Sequence, residues 1–298
     1  MPPSPETRQA HPVSAERYQL GEGPRQDPRT GELLWVDIVA ERLLRGRLAG
    51  DAVEVLAGYD IGMPTGAVAP AGATVGGGWV VAAGRGFHHI SPTGTLRPLA
   101  DPVSAPATVM NDGFCDPHGR FLAGSLVTAD APPWTGGLYA LEPDGSVSTV
   151  LTGLGCANGL GFAPTGNAMY HVDSRRRELR RYRYDVDTGT ATEPRVLVEF
   201  DDATPDGLCV DAEGCLWVAL WDGWRVCRYD PDGRRMAQVD LPVPRPTAVC
   251  LLDGVLLITT ARVGLTDAAL RAAPDSGRVF AAEVHVAAAP TRAWSGMP

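Results

Sequence analysis

A strand–turn–strand unit recurs along this chain at a nearly constant spacing, and that period restricts the fold more than any other feature. The clearest copy runs Thr204-Pro205-Asp206-Gly207-Leu208-Cys209-Val210, turns over Asp211-Ala212-Glu213-Gly214, and continues Cys215-Leu216-Trp217-Val218-Ala219. Leu208 and Val210 share one face of the first strand, and Leu216 and Val218 share one face of the second. Asp, Glu and Gly supply the turn between them. Related units begin at Gly21-Glu22-Gly23-Pro24, at Asn111-Asp112-Gly113-Phe114-Cys115 and at Asn158-Gly159-Leu160-Gly161-Phe162, with weaker ones near Gly66 and Thr247. Aligned on the residue before the first strand, the units start at Glu22, Gly66, Asn111, Asn158, Asp206 and Thr247, 41 to 48 residues apart. A more polar strand pair follows each hairpin, clearest in Arg225-Val226-Cys227-Arg228-Tyr229-Asp230 with Pro231-Asp232-Gly233. Six such units predict an all-β fold, a six-bladed β-propeller with four antiparallel strands per blade. A pair of β-sandwiches, the alternative, imposes no fixed period.

The chain has 298 residues, 44% of them hydrophobic, enough to bury a large core. The stretch from Met1 to Gln19 is polar, contains proline and lacks an apolar signal core. Residues 1–16 are therefore expected to form a flexible tail, and residues 17–298 a single propeller domain. No stretch is long enough to span a bilayer, so the expectation is a cytoplasmic protein with no membrane partner. The net charge of −9 disfavours nucleic acid as a partner. The basic cluster Arg175, Arg176, Arg177, Arg180, Arg181 and Arg183 reads as a solvated outer face. Six cysteines lack the paired spacing of a zinc site and read as buried free thiols. Oligomeric state is not readable from the sequence.

In a propeller the first strand of each blade lines the central channel. Residues just before those strands converge at one channel mouth, so Glu22, Asn111, Asn158 and Asp206 should meet. Glu22, Asn158 and Asp206 offer two carboxylates and an amide oxygen, a donor set that suits a hard divalent cation such as calcium or magnesium. So few ligands leave room for water or substrate, as metal-assisted hydrolysis of a small molecule needs. The competing reading takes Asn-Gly and Asp-Gly as simple turn pairs. Asp112 either supports the site or caps a turn, while Asp173 and His171 read as structural. No Gly-x-Ser-x-Gly occurs, so nothing supports a serine hydrolase.

The motifs Gly21-Glu22-Gly23-Pro24, Trp35-Val36-Asp37-Ile38, Asn111-Asp112-Gly113, Asn158-Gly159-Leu160, Val172-Asp173-Ser174, Pro205-Asp206-Gly207 and Tyr229-Asp230-Pro231-Asp232-Gly233 stand in order and in phase. Together they resemble the family of senescence marker protein (regucalcin), gluconolactonase and luciferin-regenerating enzyme. The resemblance implies one divalent metal in the channel, held by Glu22, Asn158 and Asp206. Calcium comes first among the candidates, and zinc, magnesium and manganese can also occupy such a site. It implies that Asp206 doubles as the proton-handling carboxylate, that Asn111 holds the substrate, and that the reaction is hydrolysis of a lactone. The sequence departs from the family's sugar lactonases at Val109, where they often carry arginine, and around Ala129, where they often carry an acidic residue. Losing those hydrogen-bonding groups implies a substrate less polar than an aldonolactone. Trp134, in a segment expected to loop over the channel mouth, either stacks on substrate or packs. A same-scaffold enzyme with a shifted reaction (another ester or phosphoester hydrolysis, or a cyclisation or elimination) and a non-catalytic calcium-binding propeller are the other readings.

Overall fold

A computed structural model describes residues 6–72, 77–105, 107–128 and 134–296. Alternation of apolar residues with turn glycines produces twenty-five strands and one short helix among them. The strands form six sheets. The first blade comprises Gly21–Gln26, Leu33–Asp37, Arg42–Ala49 and Ala52–Asp60, and the second Thr65–Pro70, Trp79–Ala83, Gly86–Ile90 and Leu96–Ala100. The third comprises Thr108–Cys115, Phe121–Val127, Gly136–Leu141 and Val147–Leu154, and the fourth Ala157–Phe162, Ala168–Asp173, Glu178–Asp185 and Thr190–Glu199. The fifth begins Thr204–Val210, Leu216–Trp221, Arg225–Tyr229 and Arg235–Asp240, and the sixth Pro246–Leu252, Val255–Thr260 and Phe280–Glu283. Each inner strand packs against the inner strands of both neighbouring blades, and the sixth returns to the first. The protein is a six-bladed β-propeller of antiparallel blades, as the period predicts.

The core is divided among the blades. Each of six apolar clusters lies between two consecutive blades. One joins Leu34, Val36 and Leu43 to Val68, Val81 and Ile90. Another joins Trp217, Val226 and Val239 to Ile258 and Phe280. Burying a large apolar side chain contributes about 1.5–3 kcal/mol, so each blade is stabilised mainly by its neighbours. Closure of the ring therefore matters to every blade.

Residues 6–13 make that closure, which corrects the expectation of a flexible tail for that part of the stretch 1–16. His11–Pro12 pairs antiparallel with Phe280–Ala281 as the outer strand of the sixth blade. Glu6–Gln9 runs parallel to Ala237–Asp240 as a fifth strand of the fifth blade. Ala10 and Val13 are buried in the clusters on either side of the sixth blade. An outer edge strand is solvated on much of its surface, so it carries no apolar alternation to betray it. On the inner side, the Thr247 hydroxyl donates to the Gly21 carbonyl at 2.6 Å, tying the sixth blade to the first. The helix Asp267–Ala272, N-capped by Thr266, is an insertion in the sixth blade. Among the described residues no helix is long and apolar enough to cross a membrane. All six cysteines are free, four of them buried.

Candidate active site

Every inner strand carries a register irregularity at the same phase. It falls between Glu22 and Arg25, Thr65 and Ala67, Met110 and Gly113, Ala157 and Leu160, Pro205 and Leu208, and Pro246 and Val249. A bulge bends its strand and re-aims the side chain at the break. Glu22, Asn111, Asn158 and Asp206 all sit at these breaks, on strands that ring one channel. The Asn-Gly and Asp-Gly pairs thus lie inside Ala157–Phe162 and Thr204–Val210, not in turns. Their glycines admit the next blade. A Cβ on Gly159 would stand 2.6 Å from the Asp206 carbonyl oxygen, and one on Gly207 2.5 Å from the Ala248 Cβ.

Three carboxyl groups share this small region, and all three are buried. Burial holds the Glu22 carboxyl well above the usual glutamate range, and the charges of Asp206 and Asp112 push it further. Burial, then the charge of Asp112, raises Asp206 in the same way. Burial pushes Asp112 up to about 6, against the opposing pull of the Arg25 guanidinium and the Gly113 N–H. Mutual effects of this kind require like charges close together in a low-dielectric setting. Backbone amides fix two of the groups: Gly23 N–H donates to Glu22 Oε2 at 3.0 Å, and Gly113 N–H to Asp112 Oδ1 at 2.7 Å. Asp112 lies within an inner strand, so it caps no turn.

Asn158 completes the arrangement. Its Nδ2 donates to the Ser174 hydroxyl at 3.1 Å, and that hydroxyl donates to the Pro205 carbonyl at 2.7 Å. The amide is thereby turned so that Oδ1 is buried with no hydrogen-bond partner. Leaving such an acceptor unsatisfied costs about 1–3 kcal/mol. A divalent cation held by Glu22, Asp206 and the Asn158 amide oxygen would satisfy the orphan and offset the repulsion between carboxylates, so the residues present fit a hard cation. The amide is essential to that fit, because among the described residues no three His, Cys, Asp or Glu side chains are placed to hold one metal ion by themselves.

Asn111 is anchored beside this set. Its Nδ2 donates to the Ala157 carbonyl at 2.9 Å and lies 3.9 Å from the Cys156 sulfur. Val109 is half-buried on the same strand. Trp134 is 39% exposed, with the Arg176 guanidinium 4.2 Å from its ring centroid. Ala129, the remaining candidate, lies outside the described residues. Asp173 is structural: it accepts the Gly155 and Cys156 N–H groups at 3.0 and 3.2 Å and so sets the chain leading into Asn158. Asp37 does the same for Gln19 and Leu20 ahead of Glu22.

Two contributors escaped the sequence reading. Arg25 is a buried cation whose Nη2 donates to the Gly113 carbonyl at 2.8 Å and whose guanidinium lies 5.3 Å from the Phe114 ring centroid. Its signal was available, since a charged residue inside a channel-lining strand needs an opposite charge nearby. Ser174 left no such signal, because its role depends on Asn158 and Pro205 in other strands.

A family model described as SMP-30/gluconolactonase/LRE-like region matches residues 20–262. The chain belongs to this family. Regucalcin of Danio rerio is 33% identical, with 90% of this chain and 92% of the relative covered. L-arabinolactonase of Azospirillum brasilense is 34% identical, with 97% of each chain covered. The crystal structure of a calcium-binding protein, regucalcin, from Agrobacterium tumefaciens superposes with a TM-score of 0.87 at 27% identity, covering 97% of this chain and 99% of that one. The SMP-30/gluconolactonase match spans all four ring residues from Glu22 to Asp206.

Proposed function

We propose that this protein is a divalent-metal-dependent hydrolase that opens a lactone to its hydroxy acid. The observation that carries this reading is the buried, unpartnered Oδ1 of Asn158 set beside two buried carboxylates. Likeness to L-arabinolactonase over nearly the whole chain supports the reaction class, and likeness to a calcium-binding regucalcin supports calcium as the first metal to test.

Glu22, Asn158 and Asp206 would hold the cation, whose charge would polarise the lactone carbonyl and stabilise the oxyanion that forms under attack. Asp206 accepts the proton of the attacking water. The water oxygen bonds to the carbonyl carbon, the acyl–oxygen bond of the ring breaks, and the departing ring oxygen takes the proton from Asp206. Asn111, its amide nitrogen tied to Ala157, keeps its Oδ1 as an acceptor for the substrate.

A panel of lactones assayed with and without chelator, beside Asp206→Ala, tests this reading. Hydrolysis should be abolished by chelator, restored by added calcium and absent from Asp206→Ala. Turnover that survives both chelator and the substitution would overturn it.

A further inference from the structure

The third and fourth blades give the candidate site an apolar wall. Val109 pairs with Leu126 across adjacent strands, and Leu126 bridges to Cys156 in the next blade. Cys156 in turn lies against Asn111 and within the field of Asp206. All three are half-buried, so each keeps part of its side chain open to solvent. Trp134 extends the row. A Cβ on Gly155 would stand 2.9 Å from its ring, so the indole rests on the backbone next to Cys156. Arg176 stacks on the same indole and fixes it.

Several donors near this row, among the described residues, are tied to main chain. The Thr128 hydroxyl donates to Ala107 O at 2.7 Å, Arg175 Nη2 to Val127 O at 2.8 Å, Arg176 Nη2 to Gly153 O at 3.0 Å and Asn111 Nδ2 to Ala157 O at 2.9 Å. The side chains of Val109 and Leu126 offer a substrate hydroxyl no hydrogen bond, so one laid against them would lose its water without gaining a partner there, at about 1–3 kcal/mol. A methylene in the same place would gain about 0.8 kcal/mol. The two terms favour the same kind of substrate.

Resting on the hydrolase reading above, we infer that the site prefers a lactone bearing an alkyl or aryl substituent over a polyhydroxylated sugar lactone, the substituent lying along Val109, Leu126, Cys156 and Trp134. The test compares kcat/KM of the full-length, calcium-loaded protein for γ-nonalactone and for a pentono-1,4-lactone. The alkyl lactone should be favoured at least tenfold. Equal or greater efficiency on the sugar lactone overturns the substrate class and leaves the hydrolase reading standing, whereas hydrolysis of neither overturns both. Trp134→Ala, at an exposed position that the fold tolerates, should raise KM for the alkyl lactone about tenfold, as expected for losing an aromatic contact, and narrow the preference. A preference unchanged in that variant would remove the wall from substrate selection.

Discussion

Asn158 Nδ2 donates to Ser174 Oγ at 3.1 Å, and that bond decides where the buried amide oxygen of Asn158 points. An asparagine amide can present either its oxygen or its nitrogen to a cation, and only the oxygen binds one. Ser174 accepts from the nitrogen and donates its own hydrogen bond to Pro205 O, so the orientation is set before any cation arrives.

Ser174→Ala should therefore weaken divalent-cation binding by about 10–100-fold, the usual effect of removing a group that orients a ligand. The folded structure should persist, since one partly buried hydroxyl is lost. Calorimetric titration with calcium measures the change. Unaltered affinity would show that Asn158 is not a ligand.

Cation binding should tighten as pH rises and should release protons. Without a cation, burial and mutual repulsion favour the protonated forms of Glu22 and Asp206. A cation needs both ionised, so protons compete with it more strongly at low pH. Titrations in buffers of different ionisation enthalpy count the protons released. An affinity independent of pH across the acidic range would contradict this coupling.

His171 should make the fold acid-sensitive. Burial depresses its pKa to about 4, aided by Arg180 and opposed by Asp173. An unfolded chain binds a proton at about 6.5, so from there down to about 4 it gains protons that the folded state refuses. Stability is lost as pH falls through that window, by about 3 kcal/mol in full. Above it, the group contributes no pH dependence. Urea denaturation of the protein and of His171→Gln at several pH values should show a flatter acid limb in the variant. Parallel limbs would mean that His171 titrates normally.

Removing residues 1–13 should destabilise the whole ring. The deletion unpairs two blades and strips Ala10 and Val13 from two inter-blade clusters. Val13 alone represents about 1.5–3 kcal/mol of burial. With the lost strand hydrogen bonds, a fall in Tm of about 10 °C is expected, and differential scanning calorimetry measures it. A Tm within error of the intact chain would show that the N-terminal strands are ornamental to the ring.

Much of this molecule was legible from residues close together in sequence. Leu208 and Val210 opposite Leu216 and Val218 specify a hairpin through alternation and a turn, and each needs only its near neighbours. Repetition of that hairpin every 41 to 48 residues specifies the propeller and puts Glu22, Asn111, Asn158 and Asp206 in one phase. The remainder depended on partners that no local pattern announces. Arg8 reaches the carbonyl of Glu283, 275 residues away, to help close the ring. The bulge beside each channel residue comes from register between paired strands, and the orientation of Asn158 comes from a serine just past the end of the next strand of its blade. Local spacing and alternation are enough to specify the blades and which residues share a position in them. Where those side chains aim follows from the folded packing, because aim is set by contacts between strands and by the water those contacts exclude.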